Sequence, residues 1–292
     1  MGGDPELAAL VGTPFRVARP AVQTTPFVFA SPHSGRLYPS SFVARSWLSP
    51  LTLRRSEDAF VDELFAGVVN LGAPLIAALF PRAYVDPNRA ASELDHAMFD
   101  AALGLDVDPH SARVAAGLGV IPRVVRDGAE IYREKLRPQD AEQRLAHLHH
   151  PYHAALAGLV AETRARFGVA IVVDCHSMPS ASNVPDIVLG DRYGASASPG
   201  LMRHAEHSFE TCGFATARNV PYAGGYTTHL YGRREQGVHA LQIEVNRLLY
   251  LDEERIERGP HFADIRTRLA AALNRLMAFD TSSLRARPLA AE

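Results

Sequence analysis

The run Ala170-Ile171-Val172-Val173 is apolar and largely β-branched, and it ends abruptly in Asp174-Cys175-His176-Ser177. That pattern predicts a buried strand delivering polar side chains at its C-terminal end. In open α/β sheets, ligands and catalytic groups collect at that edge. Phe27-Val28-Phe29-Ala30 runs into Ser31-Pro32-His33-Ser34-Gly35 in the same way. A third segment, Ala240-Leu241-Gln242-Ile243-Glu244-Val245-Asn246, carries one carboxylate inside an apolar run. Two strand-end histidines and a strand carboxylate, far apart in sequence, are what a one-metal hydrolase needs.

With 292 residues, 47% of them hydrophobic, the chain can bury one large core. A formal charge of -2 gives no basic footprint for nucleic acid. No apolar run reaches the length of a membrane span. The start, Met1-Gly2-Gly3-Asp4-Pro5-Glu6, lacks the basic and apolar regions of a secretory signal. Two cysteines, Cys175 and Cys212, cannot build a disulfide framework, so a reduced cytoplasmic setting is expected. Cys175 reads as a small buried residue rather than a nucleophile.

Residues 1–25 read as an extended N-terminal arm, 26–280 as a single catalytic domain and 281–292 as a tail. Strands are expected near 27–30, 75–79, 83–85, 169–174, 185–189, 214–217 and 240–246. Helices are expected at 60–69, 139–148, 151–166, 198–212 and 261–278. Residues 90–130 are irregular and read as a functional loop region. Alternating strands and helices argue for an α/β sandwich around a mixed sheet.

Catalytic zinc sites use about three protein ligands, mostly histidine and carboxylate, and keep one position open. The metal acidifies water and polarises a carbonyl, and a nearby carboxylate moves the proton to the leaving nitrogen. His33 and His176 fit as ligands. Glu57 and Asp58 are the candidate carboxylates; their plainer role is charge stabilisation at a helix start. Glu244 between Ile243 and Val245 is costly unless paired or beside a metal, and suits a general base; a salt bridge to Arg247 is the other reading. Asp86-Pro87-Asn88-Arg89 follows an expected strand, and its Asn88-Arg89 pair can hold a carboxylate in a bidentate fork. Tyr132-Arg133 and Arg233-Arg234 are weaker anion donors. Gly224-Gly225 can let backbone N–H groups approach substrate, or form a plain turn. Of His147, His149, His150 and His153, only His149 and His153 share a helix face, and a structural role is favoured.

Taken in order, these motifs resemble the N-formylglutamate amidohydrolase family from about residue 25 to 275. The motifs are Ser31-Pro32-His33-Ser34-Gly35, Glu57-Asp58-Ala59-Phe60-Val61-Asp62 and Asp86-Pro87-Asn88-Arg89. They continue through Asp174-Cys175-His176-Ser177-Met178-Pro179, Gly224-Gly225-Tyr226-Thr227-Thr228 and Ala240 to Arg247. The resemblance implies a zinc-carboxypeptidase-like fold, a three-layer α/β sandwich around a mixed, roughly eight-stranded sheet. It implies hydrolysis of N-formyl-L-glutamate to formate and L-glutamate, in histidine catabolism, with one divalent metal, most simply zinc. His33 and His176 would be ligands, with Asp58 before Glu57 as the third. Glu244 would be the general base, and Asn88 and Arg89 would hold the substrate carboxylate. Carboxypeptidases take a ligand three residues after the first histidine; Arg36 stands there, so the carboxylate must come from elsewhere. The Tyr152-His153 pair also matches a pair common in the family. A deacylase or peptidase of the same fold acting on another N-acyl amino acid or cell-wall peptide is the alternative. A metal-free binding protein is the alternative of a different class.

Overall fold

The computed structural model of the protein describes residues 4–108, 110–125 and 128–284, so most of the expected tail lies outside the described residues. Seven strands form the main sheet: β1 (Phe15–Ala18), β2 (Phe27–Ser31), β3 (Leu75–Ala78), β4 (Ala170–Met178), β5 (Ile187–Gly190), β6 (Thr216–Arg218) and β7 (Val238–Asn246). Their spatial order is β1-β3-β2-β4-β7-β5-β6. β4 runs parallel to both β2 and β7, whereas β5 is antiparallel to β7 and parallel to β6. The sheet is mixed, as expected. The sequence pattern also predicts seven strands, but Ala83–Val85 is a turn, and β1, in the segment read as an arm, takes its place in the count. Tyr84 and Val85 both donate their backbone N–H to the Pro81 carbonyl.

The helices are α1 (Pro5–Gly12), α2 (Ser40–Ala44), α3 (Pro50–Arg54), α4 (Val61–Leu64), α5 (Ala112–Ala115), α6 (Pro138–Arg144), α7 (His150–Phe167), α8 (Pro199–Thr211), α9 (Tyr226–Tyr231) and α10 (Phe262–Met277). The N-terminal segment is therefore not an extended arm. Asp4 caps α1 by accepting from the Leu7 N–H, and Pro5 suits a first turn that needs no donor. The helix expected over 60–69 breaks into α4 and a 3₁₀ turn at Ala66–Val69, where Gly67 and two valines are poor helix formers. The two helices expected around Pro151 are instead joined by a π-helical turn, Leu145–His149. Pro151 cannot donate to the preceding turn and its ring crowds that carbonyl; the wider turn relieves both.

Contacts divide the chain into two compact units that interleave in sequence. One comprises Met1–Arg16, Pro32–Ala59 and Ala77–Ala155, the other Val17–Ser31, Phe60–Ile76 and Leu156–Glu292, within the described residues. The first unit packs aromatic side chains: Phe42 meets Tyr38, Tyr84 and Tyr132, and Tyr152 meets Phe15 and Phe80 edge-on.

The second unit is built on strand alternation. Ile171, Val173 and Cys175 of β4 and Leu241, Ile243 and Val245 of β7 point to one face. There they pack with Leu201, Met202, Ala205 and Phe209 of α8 and Ile265, Leu269, Leu273 and Leu276 of α10. These helical residues recur at three- and four-residue steps, so each helix turns one stripe to the sheet. Burying each of the leucine, isoleucine, methionine and phenylalanine side chains among them is worth about 1.5–3 kcal/mol. The even-numbered strand residues point to the opposite face, where α9 lies against β4 and β7. No helix among the described residues is long and apolar enough to cross a membrane.

Candidate metal centre and catalytic carboxylate

The face of β4 and β7 turned away from α8 and α10 carries the polar residues. In register, Asp174 stands beside Gln242 and His176 beside Glu244. Paired residues on parallel strands project to the same side, with strands about 4.8 Å apart. Glu244 is thus next to His176 because of the pleat, not because of a loop. Its Oε1 accepts from Gln242 Nε2 at 2.7 Å, and it is buried. Asp174 Oδ2 lies 2.9 Å from His176 Nε2. Two residues apart on one strand, they share a face, and the carboxylate fixes the ring so that its other nitrogen could serve as a ligand. Cys175, between them, points into the core; burial pushes its thiol well up, which suits packing rather than nucleophilic attack.

His33 is held by two carboxylates. Its Nε2 is 2.7 Å from Asp86 Oδ1, and its Nδ1 is 3.3 Å from Asp58 Oδ2. Asp58 is placed by a backbone hydrogen bond from its own N–H to the His33 carbonyl, 3.0 Å. Asp86 also accepts from the Asn88 N–H at 2.8 Å and from Arg82 Nη2 at 3.0 Å, with Arg89 Nη2 at 3.9 Å. Burial alone would raise its pKa; His33, Arg82 and Arg89 overcome that and hold the carboxyl well below the usual range. An ionised Asp86 accepts a hydrogen bond from His33 Nε2–H, which leaves Nδ1 as the atom that could ligate a metal.

Glu57, the other candidate carboxylate, has a different setting. Its Oε1 accepts from Arg54 Nε at 3.0 Å and from Tyr38 Oη at 2.8 Å. Burial raises its pKa against the pull of Arg54.

Asn88 and Arg89 sit in the turn after Asp86, both buried. Arg89 donates from Nη1 to the Asn88 carbonyl at 2.7 Å and from Nε to the Leu118 carbonyl at 2.8 Å. Burial pulls its pKa down against the attraction of Asp86. The turn is pinned from the helix by two histidines. His149 Nε2 lies 2.9 Å from the Arg89 carbonyl, and His153 Nε2 lies 2.8 Å from the Pro87 carbonyl. Burial drives His149 down to about 4 and His153 to about 3, so both are neutral N–H donors. Their ring centroids lie 4.6 Å apart with the planes tilted by 50°, and His149 sits in the π-helical turn. His147 and His150 are exposed.

Gly224 has a local reason to be glycine: its φ is +126, and a Cβ there would meet Thr228 Oγ1 at 2.6 Å. Gly225 precedes α9, and its carbonyl accepts from His229 N and Thr228 Oγ1. Arg233 and Arg133 bond to the carbonyls of His229 and Ser46 respectively.

His33, Asp58 and His176 each offer one ligand atom, and these atoms lie within 4.8 Å of one another. Donors about 2.0–2.1 Å from a tetrahedral ion are roughly 3.3 Å apart, so the set contracts only slightly to accept one. Two imidazoles and a carboxylate, all buried, with a fourth position left over, fit zinc. It is the one group of this kind among the described residues. Sequence reasoning quoted Asp86, Asp174 and Gln242 within motifs but gave them no role. The available signal was the carboxylate two residues before a strand histidine, since a ligating imidazole needs a partner for its second nitrogen.

Residues 25–251 match the family model of N-formylglutamate amidohydrolase. An N-formylglutamate deformylase of Pseudomonas aeruginosa is 31% identical over 240 residues, covering 78% of this chain and 83% of that protein. One from Pseudomonas putida is 27% identical over 237 residues, covering 78% and 82%. The crystal structure of an N-formylglutamate amidohydrolase from Ralstonia eutropha JMP134 superposes with a TM-score of 0.84 at 36% identity, over 90% of this chain and 96% of that one. A gene product of Agrobacterium tumefaciens, TM-score 0.61 at 18% identity over 92% and 94% of the chains, shares the fold.

Proposed function

We propose, from the premise that this chain belongs to the N-formylglutamate amidohydrolase family, that it hydrolyses the amide of N-formyl-L-glutamate or a closely related N-acyl acidic amino acid. Water adds to the formyl carbon, the C–N bond breaks, and formate and L-glutamate leave. His33, Asp58 and His176 would hold one divalent metal, zinc by the chemistry of the donors. When bound, that ion acidifies water and polarises the amide carbonyl.

The remaining work falls to the chain's own residues. Glu244 takes the proton from the attacking water and returns it to the departing nitrogen. Burial and the neighbouring Gln242 donor keep its carboxylate in one orientation. Asn88 and Arg89 orient a substrate carboxylate, and the hydrogen bonds from His149 and His153 keep that turn still. Asp86 and Asp174 aim the two imidazoles.

The observation that carries this reading is the convergence of the three ligand atoms, with Glu244 beside His176 in strand register. The test is formate and glutamate release from N-formyl-L-glutamate, before and after a chelator and after zinc is restored. Turnover that is lost to the chelator and regained with zinc is the expected result. Turnover indifferent to chelation ends the metal assignment. Metal-loaded protein that leaves the formyl compound intact but cleaves another N-acyl amino acid moves the substrate.

A further inference from the structure

We propose that the cavity walled by α1, α6 and Tyr84 is a binding site for a small organic monoanion, a carboxylate with an apolar or planar body. The cavity is about 470 Å³, within the range of small-molecule sites. None of His33, Asp58, Asp86, Asn88 or Arg89 lines it, so it is a place apart from the proposed chemistry.

Its charge is unbalanced. Arg45, Arg137 and Arg144 line it against one carboxylate, Asp140. Asp140 is already taken: Oδ2 accepts from Arg45 Nη1 at 3.1 Å and from the Arg137 N–H at 3.0 Å, and Oδ1 is 3.8 Å from Arg137 Nη2. That leaves Arg144, which feels Asp140 only at longer range, with no salt bridge among the described residues.

Arg144 is only 5% exposed. Its Nη1 carries both of its hydrogen bonds to described residues, to the Tyr84 carbonyl at 3.2 Å and Tyr132 Oη at 2.7 Å. The guanidinium also lies 4.0 Å from the centroid of the Tyr84 ring. Buried and in no salt bridge, Arg144 keeps Nε and Nη2 as a parallel pair of donors, the fork that a carboxylate fits. Arg45 and Arg137 share Asp140, so among the described residues of the lining Arg144 holds the one fork that no carboxylate engages, and one fork takes one carboxylate.

Leu7 and Val11 of α1, with Phe42 and Leu148, give the cavity an apolar wall, and Ser41, Gln143 and His147 complete the lining. α1 is held over the cavity by Asp4, whose carboxylate accepts from the Ser40 and Ser41 N–H groups. A ligand therefore needs hydrocarbon as well as charge.

The test is calorimetric titration of the zinc-loaded full chain with benzoate and hexanoate, beside hexylamine and inorganic phosphate as controls. Benzoate or hexanoate should bind, the controls should not, and Arg144→Met should weaken binding at least tenfold. Val11→Asp is the second variant: Val11 is 44% exposed, so the fold tolerates the change, and the new charge should repel the carboxylate. Binding is read directly, so the result stands whatever the substrate assay gives. The proposal is overturned if neither carboxylate binds at about 10 mM. It is equally overturned if both variants bind as wild type does, or if phosphate and hexylamine bind as well as benzoate.

Discussion

The β4–β7 pair and the turn from Asp86 to Arg89 each present proposed site residues, but by different means. On the strands, alternation does the placing. Asp174 and His176 share a face because they are two apart, and His176 meets Glu244 because the register puts them side by side. In the turn, backbone geometry is irregular and side chains do the placing. Asp86 gathers His33, Arg82 and the Asn88 N–H, while His149 and His153 hold the carbonyls of Arg89 and Pro87. A strand keeps its shape when one side chain changes, because its ladder is backbone. A turn held by buried polar contacts loses a support with each one. Substitutions on the strands should therefore alter chemistry with little effect on folding, and substitutions around the turn should alter both.

The largest effect is expected on the strand side. Glu244→Gln keeps the shape and the neighbouring ladder but cannot take a proton. Turnover should fall about 10²–10⁴-fold, with zinc content and the urea midpoint close to wild type. Near wild-type turnover in a folded, zinc-loaded variant would remove Glu244 from the reaction and make its place in the register a structural matter.

The two histidine-orienting carboxylates sharpen the contrast. Asp174→Asn and Asp86→Asn should each weaken zinc about 10–100-fold in a competition assay, since each loosens one proposed ligand. Only Asp86→Asn also strips a negative charge facing Arg82 and Arg89. Breaking a buried pair in this way costs about 3–5 kcal/mol. Its unfolding midpoint should drop well below that of Asp174→Asn. Equal drops would mean that the turn does not depend on Asp86.

The same division decided what could be read in the sequence. The two strand-end histidines, Glu244 and the α/β architecture announce themselves through runs of alternating or β-branched residues and through polar letters that interrupt them. Periodicity has nothing to say about Asp86, whose partners lie 53 residues away at His33 and four away at Arg82. It misleads at Ala83–Val85, where an apolar run is buried as a turn. It also divides the long helix at Pro151, because the rule that proline ends a helix ignores a π-helical turn. Asp58 and Glu57 are neighbours of the same chemistry, and only tertiary structure separates them. Tyr38 and Arg54 engage Glu57, while the His33 carbonyl positions Asp58.

The smallest effect at neutral pH is expected from the histidines that pin the turn, and it grows as the solution is acidified. His149 is lowered from 6.5 to about 4 and His153 from 6.5 to about 3, mainly by burial. As pH falls below about 6.5, the unfolded chain takes up protons that the folded chain refuses. The stability these neutral rings confer is therefore whole above that pH and is lost progressively toward pH 4 and then 3. A tenfold difference in proton affinity between the folded and unfolded chain is worth about 1.4 kcal/mol. Gln at either position keeps an N–H donor for the carbonyl but does not titrate. His149→Gln/His153→Gln should thus lose no more than about 1–3 kcal/mol at pH 7. Between pH 6.5 and 4 its urea midpoint should fall less steeply than that of wild type. His150 is present and exposed in both proteins and cancels in the difference. Parallel pH profiles would show that the two imidazoles are not buried neutral donors, and the turn would then owe its position to Asp86 and the arginines alone.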